Sequence, residues 1–272
     1  MEPEGQAAID NARAIFDARS ELYGDSDPTT IESLIRLADA LQIGGNYREA
    51  EGLLRSSLSI QNRAANGDES WTTLTEFNLA IVLDRLGENP AARRLWERVL
   101  QSSDRTKGPD SEQSVRAAIN LAISLRKLHL CGDEFPLRVR ILEATRRSAG
   151  PEHVDTFRAV IDLAQTHREL GNHEMALSLF VEGLSGLERC DVDQRTLLYQ
   201  KWAIASELVA LKRPREASEM FDQVLQGSIE HLPADDPLRR SAVRQKRAYW
   251  FIGKVSRRKK IRRREKAETD ST

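Results

Sequence analysis

Three histidines, His153, His167 and His173, fall within a short stretch of the chain. Imidazole is the commonest ligand for zinc and many other transition metals, so such a group is the first place to look for a metal site. The positions argue otherwise. His153 and His173 stand in runs of turn residues, and His167 takes an apolar register position that Leu41, Leu83 and Leu125 fill elsewhere. The two cysteines, Cys131 and Cys190, form no CxxC pair and no cluster with histidine. They read as reduced thiols. No GxxxxGK[ST] phosphate loop, GxGxxG fingerprint, HExxH or GxSxG occurs. The many Asp and Glu residues look like solvated faces, and no two of them stand out as a general acid and base. The reading is no catalytic site, no metal and no cofactor.

Charge is the other chemistry on offer. Arg257, Arg258, Lys259, Lys260, Arg262, Arg263 and Arg264 form a dense basic run near the carboxyl end. Residues 237–272 hold 14 basic and 3 acidic residues, a net +11, which leaves 27 basic and 39 acidic residues, a net −12, in the rest of a chain whose formal charge is −1. A tail of this kind could attract nucleic acid or an anionic membrane surface, lie on an acidic partner, or fold back on the acidic body. No recognition helix or zinc site accompanies it to read a base sequence. The tail from Arg257 is expected to be disordered or a frayed helix. No run approaches the ~20 apolar residues of a membrane span. The opening Met-Glu-Pro-Glu-Gly lacks a signal-peptide layout. These features predict a cytoplasmic protein, and the excess of Arg over Lys suggests a GC-rich bacterial source.

The elements that must position any site are written in a repeat. Leu37, Leu79, Leu121, Leu163 and Ile204 recur at steps of 42, 42, 42 and 41 residues, and each is followed by Ala: Ala38, Ala80, Ala122, Ala164 and Ala205. Leu53, Leu95, Leu137, Leu179 and Met220 keep the same step, as do Leu58, Leu100, Leu142, Leu184 and Leu225. Three apolar series in register mean one two-helix unit copied along the chain. Glycine-led turns such as Gly108-Pro109-Asp110-Ser111 open each first helix, with Thr30, Thr73, Ser114 and Thr156 expected as caps. Short breaks such as Gly44-Gly45-Asn46 separate it from a second helix carrying Ala50, Ala92, Ala176 and Ala217. The third unit departs from this plan. His129 replaces the turn glycine, Glu134 the packing alanine, and Pro136 falls where the second helix should start. A shorter or shifted helix, with Phe135 exposed, is expected there. In the fifth unit Lys212-Arg213-Pro214 replaces the glycine turn.

The Leu-Ala pair, the turn glycine and the Ala-x3-Phe spacing of Ala176 to Phe180 and Ala217 to Phe221 resemble the tetratricopeptide repeat. The 42-residue step and the turn Gly150-Pro151-Glu152-His153-Val154-Asp155-Thr156 resemble its kinesin-light-chain-type variant, with Val154 where proline is usual. The resemblance covers about residues 6–252. It implies an all-α, right-handed superhelical solenoid of antiparallel helix pairs. The expected domain is residues 1–256: a half-repeat or cap at 6–23, five repeats at 29–230 and a capping helix at 237–256, followed by the tail at 257–272. One of the rings of Tyr249-Trp250-Phe251 is expected to cover the last apolar edge. The half-unit at the amino end suggests either a simple cap or one piece of a larger protein.

In arrays of this family the first helices line a concave face, which implies where a partner docks. The residue before each Leu-Ala pair is placed in the groove: Arg36, Asn78, Asn120, Asp162 and Ala203. The variant commonly carries Asn here, where a carboxamide can donate to and accept from a peptide backbone. Helical neighbours add Leu74, Phe77 and Ile81, then Arg116, Ile119 and Ile123, then Arg158, Ile161 and Gln165. Arg85, Arg126, Lys127 and Arg168 follow on the same face, and the fifth unit offers Tyr199, Trp202 and Ser206. The groove so drawn has an apolar floor and basic walls, suited to an extended peptide with acidic and apolar residues. Alternatively, these cations pair with acids on neighbouring helices. The function implied is non-catalytic protein binding, as an adaptor or regulatory subunit. The alternatives are a sensor domain of a larger ATPase or protease effector, and nucleic-acid binding through the tail.

Overall fold

The computed structural model describes residues 3–63 and 69–246. Among them every regular element is a helix. The chain forms two compact units, Met1–Ala144 and Thr145–Thr272. In the first unit α1 (Pro3–Tyr23) precedes α2 (Pro28–Ile43), α3 (Tyr47–Arg63), α4 (Glu69–Leu86), α5 (Asn89–Lys107) and α6 (Glu112–Lys127). The division falls within α7 (Cys131–Ala149). The second unit holds α8 (Val154–Glu169), α9 (His173–Leu187), α10 (Gln194–Ala210), α11 (Pro214–His231) and α12, described over 237–246.

The repeat series become the core. Leu37, Leu79, Leu121, Leu163 and Ile204 are all buried, as is the alanine after each. Alanine at that point brings two helix backbones close together, and the leucine fills the space beside it. On the second helices Ala50, Ala92, Ala176 and Ala217 have no exposed surface, and four residues on stand Leu54, Trp96, Phe180 and Phe221, also buried. Burying a side chain of this size contributes about 2–3 kcal/mol. The series through Leu53 and Leu179 lies one position earlier and is mostly half-buried. In the second unit α9 approaches α8 so closely at Gly186 that any β-carbon there would overlap the Phe157 ring.

The helix starts correct one expectation. The caps are Asp27, Ser111, His153 and Asp193, whose side chains accept from the backbone N–H of Thr29, Ser114, Asp155 and Thr196. Thr30, Thr73, Ser114 and Thr156, expected as caps, are buried in the first turn instead. Thr30 and Thr156 tie their helices to the preceding segment, donating to the Arg19 carbonyl at 3.1 Å and to the Gly150 carbonyl at 2.6 Å, whereas Thr73 meets Ser102 of α5 at 2.8 Å. The hydroxyl replaces a lost contact with water, which a buried polar group requires.

The third repeat is corrected as well. α7 is a full 19-residue helix that runs through Pro136. The proline deprives only the Gly132 carbonyl of a donor, and Gly132 is exposed to water. Phe135 is half-buried rather than exposed. The turn before the helix keeps its left-handed backbone without glycine: His129 has φ +58°, where Gly45, Gly87 and Gly171 have +78°. Lys212 in the fifth repeat does the same, at +58°.

At the carboxyl end Asp236 accepts from the Leu238 N–H at 2.8 Å to open α12. Leu238 and Ala242 then pack with Leu198 and Val224. Tyr249, Trp250, Phe251, the last part of the expected capping helix and the basic tail lie outside the described residues.

Candidate partner-binding groove

In the first unit the first helices α2, α4 and α6 line an open cavity of about 700 Å³. Trp71, Leu74, Phe77 and Asn78 of α4 form its floor. Ile35 and Asp39 of α2 stand on one side, with Lys107, Glu112 and Arg116, from the end of α5 and the start of α6, on the other. A second cavity of about 430 Å³ shares Asp39 and is lined by Gln42, Ile43, Tyr47, Ile81 and Arg85.

The floor is built outward from the core. Phe77 meets the buried Trp96 edge-on, with centroids 5.0 Å apart and planes at 87°. The Arg116 guanidinium lies 5.4 Å over the Phe77 ring. That stacking holds the guanidinium over an aromatic face while its N–H groups stay available. Trp96 donates through Nε1 to Asp84 at 2.7 Å, and Asp84 also holds Lys127 at 3.0 Å. Asn78 is buried and donates through Nδ2 to the Leu74 carbonyl at 2.9 Å, so its N–H is engaged by its own helix.

Among the described residues Asp39 forms no ion pair, and its one polar contact there is a long 3.4 Å approach from Gln42 Nε2. Asp39 is exposed, and the walls of both cavities remove part of the solvent around its carboxyl. That burial pushes its carboxyl above the ordinary aspartate value.

The structure therefore brings Leu74, Phe77, Asn78 and Arg116 together at the larger cavity, and Ile81 and Arg85 at the smaller. Asn120, half-buried, and Ile123, exposed, lie further along α6 and line neither. Arg126 is 3.1 Å from the buried Glu134, and Lys127 is held by Asp84. In the second unit Arg158 pairs with Asp155 of its own helix at 3.0 Å. Arg168 lies over Phe180 at 5.5 Å and 3.8 Å from the buried Glu207, which also meets His173 Nδ1 at 2.8 Å. Asp162 and Gln165 are half-buried. Tyr199 is exposed, whereas Trp202 packs edge-on against Phe221 at 5.0 Å. The histidines have separate tasks: His153 caps α8, His173 meets Glu207, and His167 is half-buried, which pushes its imidazole below the ordinary value.

Trp71, Asp39 and Lys107 were not foreseen. Asp39 stands three residues after Arg36, the same offset that gave Ile81 and Ile123 in the next repeats, so the signal was present. Trp71 lies a further turn before Leu74. Lys107 closes a second helix, and no register rule for first helices could have found it.

Stacked antiparallel helix pairs with a lined first-helix face define a helical-repeat interaction scaffold. A tetratricopeptide-repeat model matches residues 30–70 and 78–112, and a second matches 142–246. The chain is a tetratricopeptide-repeat protein, with the fold of the kinesin-light-chain-like arrays. BtubC (BKLC) from P. vanneervenii is 20% identical, with a TM-score of 0.69 over 84% of this chain and 92% of that one. A putative kinesin light chain from Podosopora anserina with nearly identical TPR-like repeats is 18% identical, with a TM-score of 0.65 over 75% and 97%. A signal transduction ATPase with numerous domains and a tetratricopeptide-repeat sensor, from Pyrococcus horikoshii, is 14% identical, with a TM-score of 0.60 over 81% of this chain and 31% of that one. No curated protein matches the chain.

Proposed function

We propose that this chain is a non-catalytic interaction module, an adaptor or regulatory subunit, that takes an extended partner segment in the groove of its first unit. Repeats of this family generally mediate protein–protein interaction. The observation that carries the site is the cavity of about 700 Å³ floored by Trp71, Leu74 and Phe77, with Arg116 and Lys107 at one rim. Neither cation has an acidic partner among the described residues. The apolar floor gives a bulky side chain somewhere to leave water, and a guanidinium fixed over Phe77 can hold a carboxylate in two hydrogen bonds. The favoured partner segment thus carries an apolar anchor with an acidic residue beside it.

Among the described residues no helix is long and apolar enough to cross a membrane. Both cysteines are free thiols. Free thiols fit the reducing compartment in which we place this module, the cytoplasm.

Panning a random 12-residue peptide display library on the full chain tests the proposal. Wild type enriches sequences that combine a bulky apolar residue with an acidic one. Trp71→Ala with Arg116→Ala removes that enrichment while circular dichroism keeps the helical signal. Equal enrichment by the variant places the site elsewhere. A second reading, a sensor domain of a larger effector, is favoured by the likeness to the sensor-bearing ATPase. Co-purification of an ATPase or protease subunit from the native host supports it, and purification as a free protein counts against it.

A further inference from the structure

The groove of the first unit is electrically polar across its floor. Arg116 and Lys107 stand at the α6 end, accompanied by one acid, Glu112. Asp39 stands at the α2 end, on the wall common to both cavities. The nearest arginine on its own helix, Arg36, is exposed and bound to Glu32 at 2.7 Å. Arg85 shares the smaller cavity but makes no ion pair with Asp39. Asp39 is exposed, forms no ion pair among the described residues and lines both cavities, so a cation on a segment lying in the groove can reach its carboxylate.

We propose that Asp39 is the specificity-determining anchor for a lysine or arginine of the partner segment, so that the groove reads the order acidic, bulky apolar, basic from α6 to α2. This rests on the reading of the groove as the partner site and adds a second charged position of opposite sign. The apolar residue fills the larger cavity over Trp71 and Phe77. The acid meets Arg116, and the cation meets Asp39 beyond the floor. The side chain after the cation reaches the smaller cavity between Ile43, Tyr47 and Ile81. Charge complementarity selects this occupant: a wholly acidic segment would set like charge against Asp39, whereas a basic residue there meets an opposite charge. The raised carboxyl of Asp39 agrees with this, since an incoming cation would restore its charged form.

The test uses the full chain and a fluorescent peptide taken from the display enrichment, read by anisotropy. Wild-type peptides are expected to carry Lys or Arg on the side of the apolar residue away from the acid. Asp39→Asn is expected to weaken such a peptide about tenfold, the loss of one charge-assisted contact. Asp39→Lys is expected to weaken it further and to prefer the same peptide with its basic residue changed to Glu. Circular dichroism checks that each variant keeps its helices. Unchanged affinity in Asp39→Asn, alongside loss of binding in Trp71→Ala, overturns the anchor and leaves the groove standing. A library that enriches nothing on wild type overturns both.

Discussion

Glu134 and Arg138 fill the two positions where the other repeats place a small residue and a large apolar one. Both are buried, 2.8 Å apart, and Arg126 reaches Glu134 at 3.1 Å. A carboxylate out of water is tolerable only while its cations stay, so removing one member costs more than replacing both. Glu134→Ala is expected to destabilise the protein by about 3–5 kcal/mol. Glu134→Ala with Arg138→Phe, which restores the small and large pattern, is expected to recover most of that loss, as read by urea unfolding. Equal destabilisation by the single and double variants would show that the site cannot accept apolar packing. Residue-scale chemistry was the least legible in the sequence. Glu134 was visible as a departure, but its pairing with Arg138, one turn on, was not foreseen. Asn78 lines the larger cavity, yet its carboxamide N–H is engaged by its own helix, which depends on rotamers that spacing does not reveal.

At the scale of elements the repeat could be read far more completely. Leucine and alanine at a fixed step fix which face of each helix is buried, because that face must pack identically in every unit. The misreadings came where one local rule competed with another. Pro136 pointed to a late or broken α7, but its cost is local, because the only carbonyl it deprives belongs to an exposed glycine. Hydroxyls near the helix starts pointed to caps, but in α2, α6 and α8 the residue three positions earlier holds that role. The turns at His129 and Lys212 keep a left-handed backbone that glycine adopts without strain. Lys212 is exposed, so exchanging it leaves packing unchanged. Lys212→Gly is expected to raise stability by about 0.5–1 kcal/mol, the strain relieved less the entropy glycine adds to the unfolded chain. A fall in the unfolding midpoint would show that the lysine contributes contacts worth more than the strain.

At the scale of the molecule, sequence and comparison agree on the family, while the partner-binding face is a proposal resting on the first unit's geometry. A repeat predicts its own core because every copy repeats the packing. It does not predict a site, because a site consists of what differs between copies: Trp71 and Asp39 have no counterparts of the same type one repeat away, and Arg158, the counterpart of Arg116, is paired with Asp155. The stretch 237–272, whose net +11 opposes the −12 of the remaining chain, ends in the basic run, which lies outside the described residues. Site-specific photocrosslinking in a lysate of the native host tests the central claim most directly. A photoreactive residue is placed at Leu74, on the groove floor, or at Arg94, exposed on the second helix α5. The account predicts a discrete crosslinked partner from position 74, abolished by excess groove peptide, and none from position 94. A partner captured from position 94 but not from 74 would contradict it.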